Sequence, residues 1–165
     1  MKYINKRGDA EIISYVFIIL IITLIVGAIL TFAVPEIAKQ QSVMRFNNSK
    51  DYINKIDYSI QEVMASPVDS TKKLTIDLSN LYLEINPSNN RIEIYHLMNG
   101  NYYENHRLIQ DGAKYTYRDL QKLYAGLQYT DLNITTDVFV QNKRVTLYFQ
   151  KISSNQLKIT TDAGD

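Results

Sequence analysis

The stretch IISYVFIILIITLIVGAILTFAV, Ile12–Val34, decides how the rest of the chain is organised. Apolar residues fill 19 of its 23 positions, and no charged side chain interrupts it. At about 1.5 Å per residue this helix would measure about 35 Å, more than the roughly 30 Å of a bilayer's hydrocarbon core. The sequence therefore predicts a retained transmembrane helix over residues 9–35. A cleaved secretory signal fits less well, because its apolar core would be only about 7–15 residues long.

The composition of the whole chain excludes several classes of protein. Its 165 residues include 18 basic and 17 acidic side chains, for a net charge of +1, and no cysteine. The absence of cysteine rules out a disulfide-stapled scaffold and any thiolate-ligated metal site. A net charge near zero gives no support for binding nucleic acid. We therefore expect no nucleic-acid partner, whereas the apolar run makes the lipid bilayer an expected partner.

Basic residues on the two sides of the apolar run predict its orientation. Lys2, Lys6 and Arg7 precede it closely, whereas the cations that follow are more widely spaced. Because cytoplasmic flanks carry the excess of Lys and Arg, we expect a single-pass protein with a cytoplasmic N-terminus and an external C-terminal domain. Two N-glycosylation sequons, at Asn47 and Asn133, are compatible with an exterior location.

The residues before the helix carry a pattern that suggests proteolytic processing. Two cations and Gly8 stand directly before it, and Asp9 and Glu11 begin it. This arrangement resembles the class III signal peptide of archaeal type IV pilin-like proteins. The resemblance implies that a prepilin-peptidase-type enzyme cuts between Gly8 and Asp9, so that residues 1–8 are a leader. Many pilins hold an acidic residue at the fifth mature position, whereas Glu11 would be the third.

A plain signal anchor explains the same residues without any cleavage. Lys6 and Arg7 would then be the topology signal, and Asp9 and Glu11 would lie where the helix macrodipole stabilises acidic side chains. The two interpretations differ in charge. Cleavage after Gly8 would remove three cations and no acids, which leaves 15 basic and 17 acidic side chains and a side-chain charge of −2.

Three small residues inside the apolar run bear on assembly. Thr23, Gly27 and Thr31 recur every four residues, so they lie on one face of the helix. Small residues at this spacing allow two helices to approach closely. This face could therefore pack against other pilin-like subunits, with Glu11 facing the amino terminus of a neighbour. It could equally consist of small residues with no partner.

The next segment, residues 36–66, is predicted to be an amphipathic stalk helix. Pro35 should end or kink the membrane helix, because it cannot donate to the carbonyl of Thr31. Asn47-Asn48-Ser49 could interrupt the stalk, and Ser66-Pro67 should end it. We expect its apolar face to pack against the following domain or, alternatively, against a partner helix. That face follows helical spacing in its second half: Ile53, Ile56, Ile60, Val63 and Met64.

Residues 67–165 predict an external head rich in β-strands. From Lys72 onward apolar and polar residues alternate with a period of two. Strands are expected near 74–78, 81–85, 92–96, 127–140, 144–152 and 156–161, with a hairpin at Asn99-Gly100 and an undecided short helix or loop at 118–123. The predicted fold class is α+β: a long N-terminal membrane-spanning helix with an amphipathic extension, then an antiparallel β-sheet or sandwich.

Chemistry-bearing residues in the head are sparse, whereas tyrosines are abundant. His96 and His106 are the only histidines, and no clustered carboxylates or catalytic motif accompany them. We therefore expect no enzyme activity, no metal site and no cofactor. Tyrosines are densest at Tyr102-Tyr103 and at Tyr115 and Tyr117. They could form a contact surface for sugar, a surface-layer protein or neighbouring subunits, or they could simply fill half-buried strand positions.

These observations lead to two expectations of function. The first is a pilin-like surface protein, a membrane-anchored subunit or accessory component of an archaeal type IV pilus-like filament. The alternative is a monomeric single-pass membrane protein whose external β domain binds a component of the cell envelope.

Overall fold

The computed structural model describes residues 6–97, 109–119 and 122–162. The chain divides into two compact units, Met1–Gln41 and Ser42–Asp165. A long apolar helix comes first, and two sheets of mostly antiparallel strands follow in the second unit. This arrangement confirms the predicted α+β fold class.

The helical part consists of α1 (Lys6–Ala28), a π-helical turn (Ile29–Ala33) and α2 (Val34–Ala65). In the π-helical turn the backbone N–H of Val34 donates to the carbonyl of Ile29, five residues back. Pro35 is the second residue after this turn, and it has no N–H with which to continue the α-helical ladder. The helical path therefore changes its hydrogen-bond pattern at Pro35, where the sequence predicted an end or a kink, and continues beyond it.

The expected interruption at residues 47–49 is wrong, because α2 runs through it without a break. Ser49 is fully buried, and its hydroxyl donates to the carbonyl of Arg45 at 3.0 Å. This back-bond satisfies the hydroxyl inside the helix and removes its competition with the backbone. The predicted end at Ser66-Pro67 is confirmed, since α2 ends at Ala65.

One face of α2 contributes to the hydrophobic core of the second unit. Met64 is partly buried against this core, whereas Ile37 and Met44 remain 54% and 60% exposed. Burying an aliphatic or aromatic side chain of this size stabilises a fold by about 1.5–3 kcal/mol. The expected packing of the second half of this helix against the β domain is confirmed. The buried apolar residues of this face are Phe46, Ile53, Ile56, Ile60 and Val63.

The described residues of the head form ten strands in two sheets. The four-stranded sheet has the order β1-β9-β10-β7, and the six-stranded sheet has the order β4-β5-β6-β3-β2-β8. All neighbouring strands are antiparallel except β7 and β10, which are parallel. The strands are β1 (Thr71–Asp77), β2 (Tyr82–Asn86), β3 (Arg91–Leu97), β4 (Ile109–Asp111), β5 (Lys114–Asp119), β6 (Lys122–Gln128), β7 (Asn133–Ile134), β8 (Val138–Gln141), β9 (Arg144–Ser153) and β10 (Gln156–Asp162).

Two strand predictions differ from the structure. The helix or loop considered for residues 118–123 is wrong in its described part, because residues 118–119 end β5 and residues 122–123 begin β6, and these two strands pair with each other. The single strand expected over 127–140 is divided into β6, β7 and β8. The division follows from sheet exchange, since β7 pairs with β10 in the smaller sheet and β8 pairs with β2 in the larger one.

Candidate functional site

The helix of the first unit exposes an unusually apolar surface. Within the candidate span Ile12–Ala65, an 18-residue window reaches a mean hydropathy of 3.0, and none of it is buried within the structure. The large side chains between Ile12 and Phe32 are each 48–74% exposed. This helix is long and apolar enough to cross a membrane.

The predicted small-residue face is open at Gly27, as far as the described residues extend. A Cβ atom added to Gly27 would meet no other atom within 4 Å, apart from its own helix backbone and chain neighbours. The hydroxyls of Thr23 and Thr31 donate to the carbonyls of Ile19 and Gly27, each at 2.8 Å. Because both hydroxyls are satisfied within the helix, this face presents a shallow apolar surface without free donors.

The predicted processing residues lie at the start of the same helix. Gly8, Asp9 and Glu11 fall within α1, while their side chains lie outside the described part of the structure. Of the two sequon asparagines, Asn47 is exposed on α2 and Asn133 is exposed at the start of β7. Tyr102, Tyr103, His106 and the Asn99-Gly100 turn lie outside the described residues.

The head contains a second distinctive surface on the six-stranded sheet. The strands of this sheet send alternate residues into the core, as Ile92 and Ile94 do from β3. The opposite side carries a row of tyrosines in direct cross-strand register, with Tyr82 facing Tyr95 and Tyr95 facing Tyr124. We call this side the aromatic face and define it by Tyr82, Tyr95, Tyr115, Tyr117, Tyr124 and Phe139.

Ring contacts join the aromatic face across five strands. Tyr82 stacks on Tyr95 with centroids 5.0 Å apart, and Tyr117 stacks on Tyr124 at 4.4 Å. Tyr95 contacts Tyr124 at 4.9 Å in a tilted arrangement, which closes the row. Cross-strand aromatic pairs of this kind stabilise a sheet. At the end of the row Phe139 is 58% exposed, so its ring is available for contact.

A carboxylate lies within the aromatic face and is held there by tyrosine hydroxyls. Glu93 accepts a short hydrogen bond from Tyr115 and a longer one, at 3.4 Å, from Tyr117. Burial and the neighbouring Glu93 raise the pKa of both tyrosines, so they remain donors. Glu84 stands directly opposite Glu93 on β2, and two like charges in this position are unfavourable. The hydroxyls and Arg91, 3.9 Å from Glu93, offset that repulsion.

Glycine is required at the centre of this arrangement. Gly126 on β6 pairs with Tyr115 on β5, and a Cβ added to Gly126 would lie 2.6 Å from Cζ of Tyr115. The tyrosine side chain therefore lies directly over the glycine backbone. Tyr115 is only 7% exposed, which leaves its ring little room to move.

A polar cluster connects α2 with the larger sheet. Asp57 of α2 accepts a hydrogen bond from the Tyr129 hydroxyl at 2.7 Å and pairs with Lys114 at 3.0 Å. Burial by itself would raise the pKa of Asp57, but hydrogen bonds from Tyr129, Lys114 and Gln61 outweigh it and hold this pKa below its ordinary value. The carboxylate therefore stays ionised and fixes the position of Tyr129.

His96 is a buried polar residue on the core side of β3. Its side chain is fully buried, and its Nε2 lies 3.1 Å from the Ser42 hydroxyl on α2. Its Nδ1 has no hydrogen-bond partner among the described residues. Burial, assisted by the nearby Arg45 charge, lowers the pKa of His96 to about 4. Its imidazole is therefore neutral at pH 7.

The structure brings together several residues that the sequence treated separately. The sequence singled out Tyr115 and Tyr117, and the structure joins them to tyrosines of three other strands. In each strand these tyrosines stand at positions that point away from the core. The sequence shows this alternation, but that the tyrosines are neighbours becomes apparent only once the strand order is known. Within the described ranges, no group of three or more His, Cys, Asp or Glu side chains is arranged to hold a metal ion.

Comparisons with known proteins give no match, so function must be inferred from the surfaces described above. No protein-family model matches the chain, and neither a curated protein nor a solved structure is significantly similar to it.

Replacing Gly126 by alanine should lower the free energy of unfolding by about 1–3 kcal/mol, because the added methyl group would overlap the Tyr115 ring. Denaturant unfolding of the full chain in detergent measures this change. The control places Gly126→Ala in a Tyr115→Ala background, where the ring is absent and the glycine change should cost little. An equal loss in both backgrounds would contradict the close approach of the two residues.

Acidification should destabilise the head through His96. Its pKa is about 4 in the folded state, below the ordinary value of about 6.5, so the unfolded chain binds the extra proton first. The free energy of unfolding should therefore fall between pH 6.5 and pH 4, by up to about 3 kcal/mol from this group. Unfolding at pH 7, 5.5 and 4.5 measures the trend. The variant His96→Gln should show a clearly shallower fall, and an unchanged slope would rule out His96 as its source.

Proposed function

We propose that this chain is a pilin-like surface protein, a membrane-anchored subunit or accessory component of an archaeal type IV pilus-like filament. The observation that carries the proposal is the exposed apolar surface of α1, whose most apolar window is not buried by any other residue that the structure describes. An apolar surface of this extent needs lipid or the helices of other subunits around it. In this proposal lipid surrounds the helix before assembly, and the helices of other subunits surround it in the filament.

The start of α1 supports the same proposal. Gly8 and Asp9 lie at the expected cut, and Glu11 follows within the first turns of the helix. After cleavage Glu11 would be close to a new positively charged amino terminus, its own or that of a neighbouring subunit. An acidic side chain inside an assembly of apolar helices needs such a partner, because an unpaired charge there is costly.

The face formed by Thr23, Gly27 and Thr31 gives the proposal a packing surface. It is open at Gly27, and its two hydroxyls are already bonded to their own helix. A second helix could therefore approach closely without leaving a donor unsatisfied. In this proposal the membrane anchors the precursor, with its N-terminus in the cytoplasm and its β head outside.

The aromatic face favours a second candidate function, a monomeric single-pass protein whose head binds a component of the cell envelope. Aromatic side chains are enriched at binding interfaces. On this face Phe139 is exposed and Tyr82 and Tyr117 are half-buried, whereas the other three tyrosines are buried. In this candidate α1 serves only as an anchor, and its N-terminal residues remain attached.

The mature N-terminus distinguishes the two candidates. Expressed in an archaeal host with an active class III signal peptidase, the full chain should yield a protein that begins at Asp9 when analysed by mass spectrometry. Gly8→Leu should block the cut, because a bulky side chain would replace glycine at the cleavage position, whereas Lys2→Gln should be processed normally. A wild-type protein that retains residues 1–8 would overturn the pilin proposal.

Helix association tests the proposed packing surface. Gly27→Leu should reduce self-association of α1 in a membrane two-hybrid assay by several-fold, because the larger side chain holds two backbones apart. The matched control is Ala28→Leu, which adds three carbon atoms at the neighbouring position, off the small-residue face, where Gly27→Leu adds four. If both variants associate like the wild type, this face does not mediate assembly.

A further inference from the structure

The second unit contains a cleft whose lining residues are different from those of the aromatic face. It has a volume of about 580 Å³. Four parts of the second unit contribute to it: the end of α2, β4 with its turn into β5, the end of β6 with the loop that follows it, and the turn between β9 and β10. Small-molecule sites typically measure about 300–1,000 Å³, so this cleft has the size of a site for a small molecule.

The lining of the cleft combines an apolar part with polar residues. Ile60, Met64 and Leu132 supply the apolar contacts. Gln61 and Gln110 bring amides, which can both donate and accept hydrogen bonds. A ligand that fits this lining must itself present apolar surface together with several donors and acceptors.

Three further polar residues in the cleft have side chains with unused hydrogen-bonding capacity. Thr130 and Asp131 follow β6, and Ser154 lies in the turn between β9 and β10. All three are exposed, and their side chains make no hydrogen bond with another described residue. Two hydroxyls and a carboxylate are therefore free to contact a ligand.

The charge of the residues that line the cleft disfavours one class of ligand, anionic molecules. Among the described residues that line the cleft, Asp131 is the only charged one. The nearby Lys114 is paired with Asp57 at 3.0 Å and does not line the cleft. A phosphate or carboxylate ligand would therefore meet a carboxylate and no cation, which disfavours anionic molecules.

Tyr129 provides a positioned aromatic ring in the same cleft. Its hydroxyl donates to the buried Asp57 carboxylate at 2.7 Å, which fixes the ring from behind. A fixed aromatic ring offers an apolar surface on which the C–H groups of a sugar ring can pack. Asp57 acts here as a positioning residue, because it holds Tyr129 and does not itself line the cleft.

We propose that this cleft binds a neutral sugar residue of a glycan. A pyranose presents hydroxyls that donate and accept around a ring with apolar C–H surface, and it carries no negative charge. These properties match the amides, hydroxyls, apolar residues and aromatic ring of the cleft. The binding chemistry is independent of how the head is anchored, whereas the placement of the glycan outside the cell rests on the proposed function.

Saturation-transfer NMR on the full chain in nanodiscs tests the proposal with glucose, galactose and mannose as probes. At least one of these neutral hexoses should bind, with a dissociation constant on the order of 1 mM. Gln61→Ala and Thr130→Ala should each weaken binding by about fivefold, the loss expected for one hydrogen bond. The matched control is Gln141→Ala on β8, which is exposed and lies outside the cleft; it should bind like the wild type.

Glucuronate tests the charge argument. The wild type should bind it much more weakly than the neutral hexoses, and Asp131→Asn should raise glucuronate binding by about fivefold or more because the repelling carboxylate is gone. The proposal is overturned if no neutral hexose binds, or if the Gln61 and Thr130 variants bind as the wild type does. Binding of an acetylated tetra-alanine peptide in place of the hexoses would also overturn it.

The mature N-terminus, read on the same preparation, keeps the two proposals separate. Hexose binding by a protein that retains residues 1–8 would overturn the pilin proposal and leave the sugar site standing. A protein that begins at Asp9 but binds no hexose would overturn the sugar site and leave the pilin proposal standing.

Discussion

Burial of one apolar stripe along α2 is the interaction on which the head depends. Ile56 and Ile60 on this stripe are almost completely inaccessible, and they belong to the same hydrophobic cluster as residues from both sheets. Without the helix that cluster would lose a continuous row of large side chains, which no described loop replaces. The fixed position of α2 also determines where its polar side chains meet the strands, as Ser42 meets His96 and Asp57 meets Tyr129.

In the larger sheet, successive residues of each strand point to opposite sides, and the two sides make different contacts. Residues on the core side pack against the common hydrophobic cluster, while residues on the other side form a row of stacked tyrosines around Glu93. The tyrosines remain amphipathic, because each buries ring surface and keeps a hydroxyl that can bond to a carboxylate or to water. Ring contacts thus hold the aromatic face together without tryptophan, which does not occur in the chain.

Local signals in the sequence predicted the elements better than their partners. The helical spacing of Ile53, Ile56 and Ile60 predicted which face of α2 would be buried, and the structure confirms it. The period-two alternation likewise predicted strands close to β1, β2, β3, β9 and β10. The prediction failed at residues 118–119 and 122–123, where β5 pairs with β6, and at residues 127–140. Over residues 127–140, pairing with distant strands determines the conformation, and no local pattern records which sheet a short segment joins.

The sequence by itself determined that the chain has an uncharged apolar helix, an amphipathic continuation and a β-rich head, because these depend on the period and length of apolar runs. It also showed the small residues at Thr23, Gly27 and Thr31 and the acidic residues at the start of the helix. Only the tertiary structure decided that tyrosines from four strands share one face and that Gly126 lies beneath Tyr115. It also decided that polar residues from α2, from β4, from the end of β6 and its following loop, and from the turn between β9 and β10 line one cleft. These juxtapositions depend on strand order and register, which arise from contacts between residues far apart in the chain.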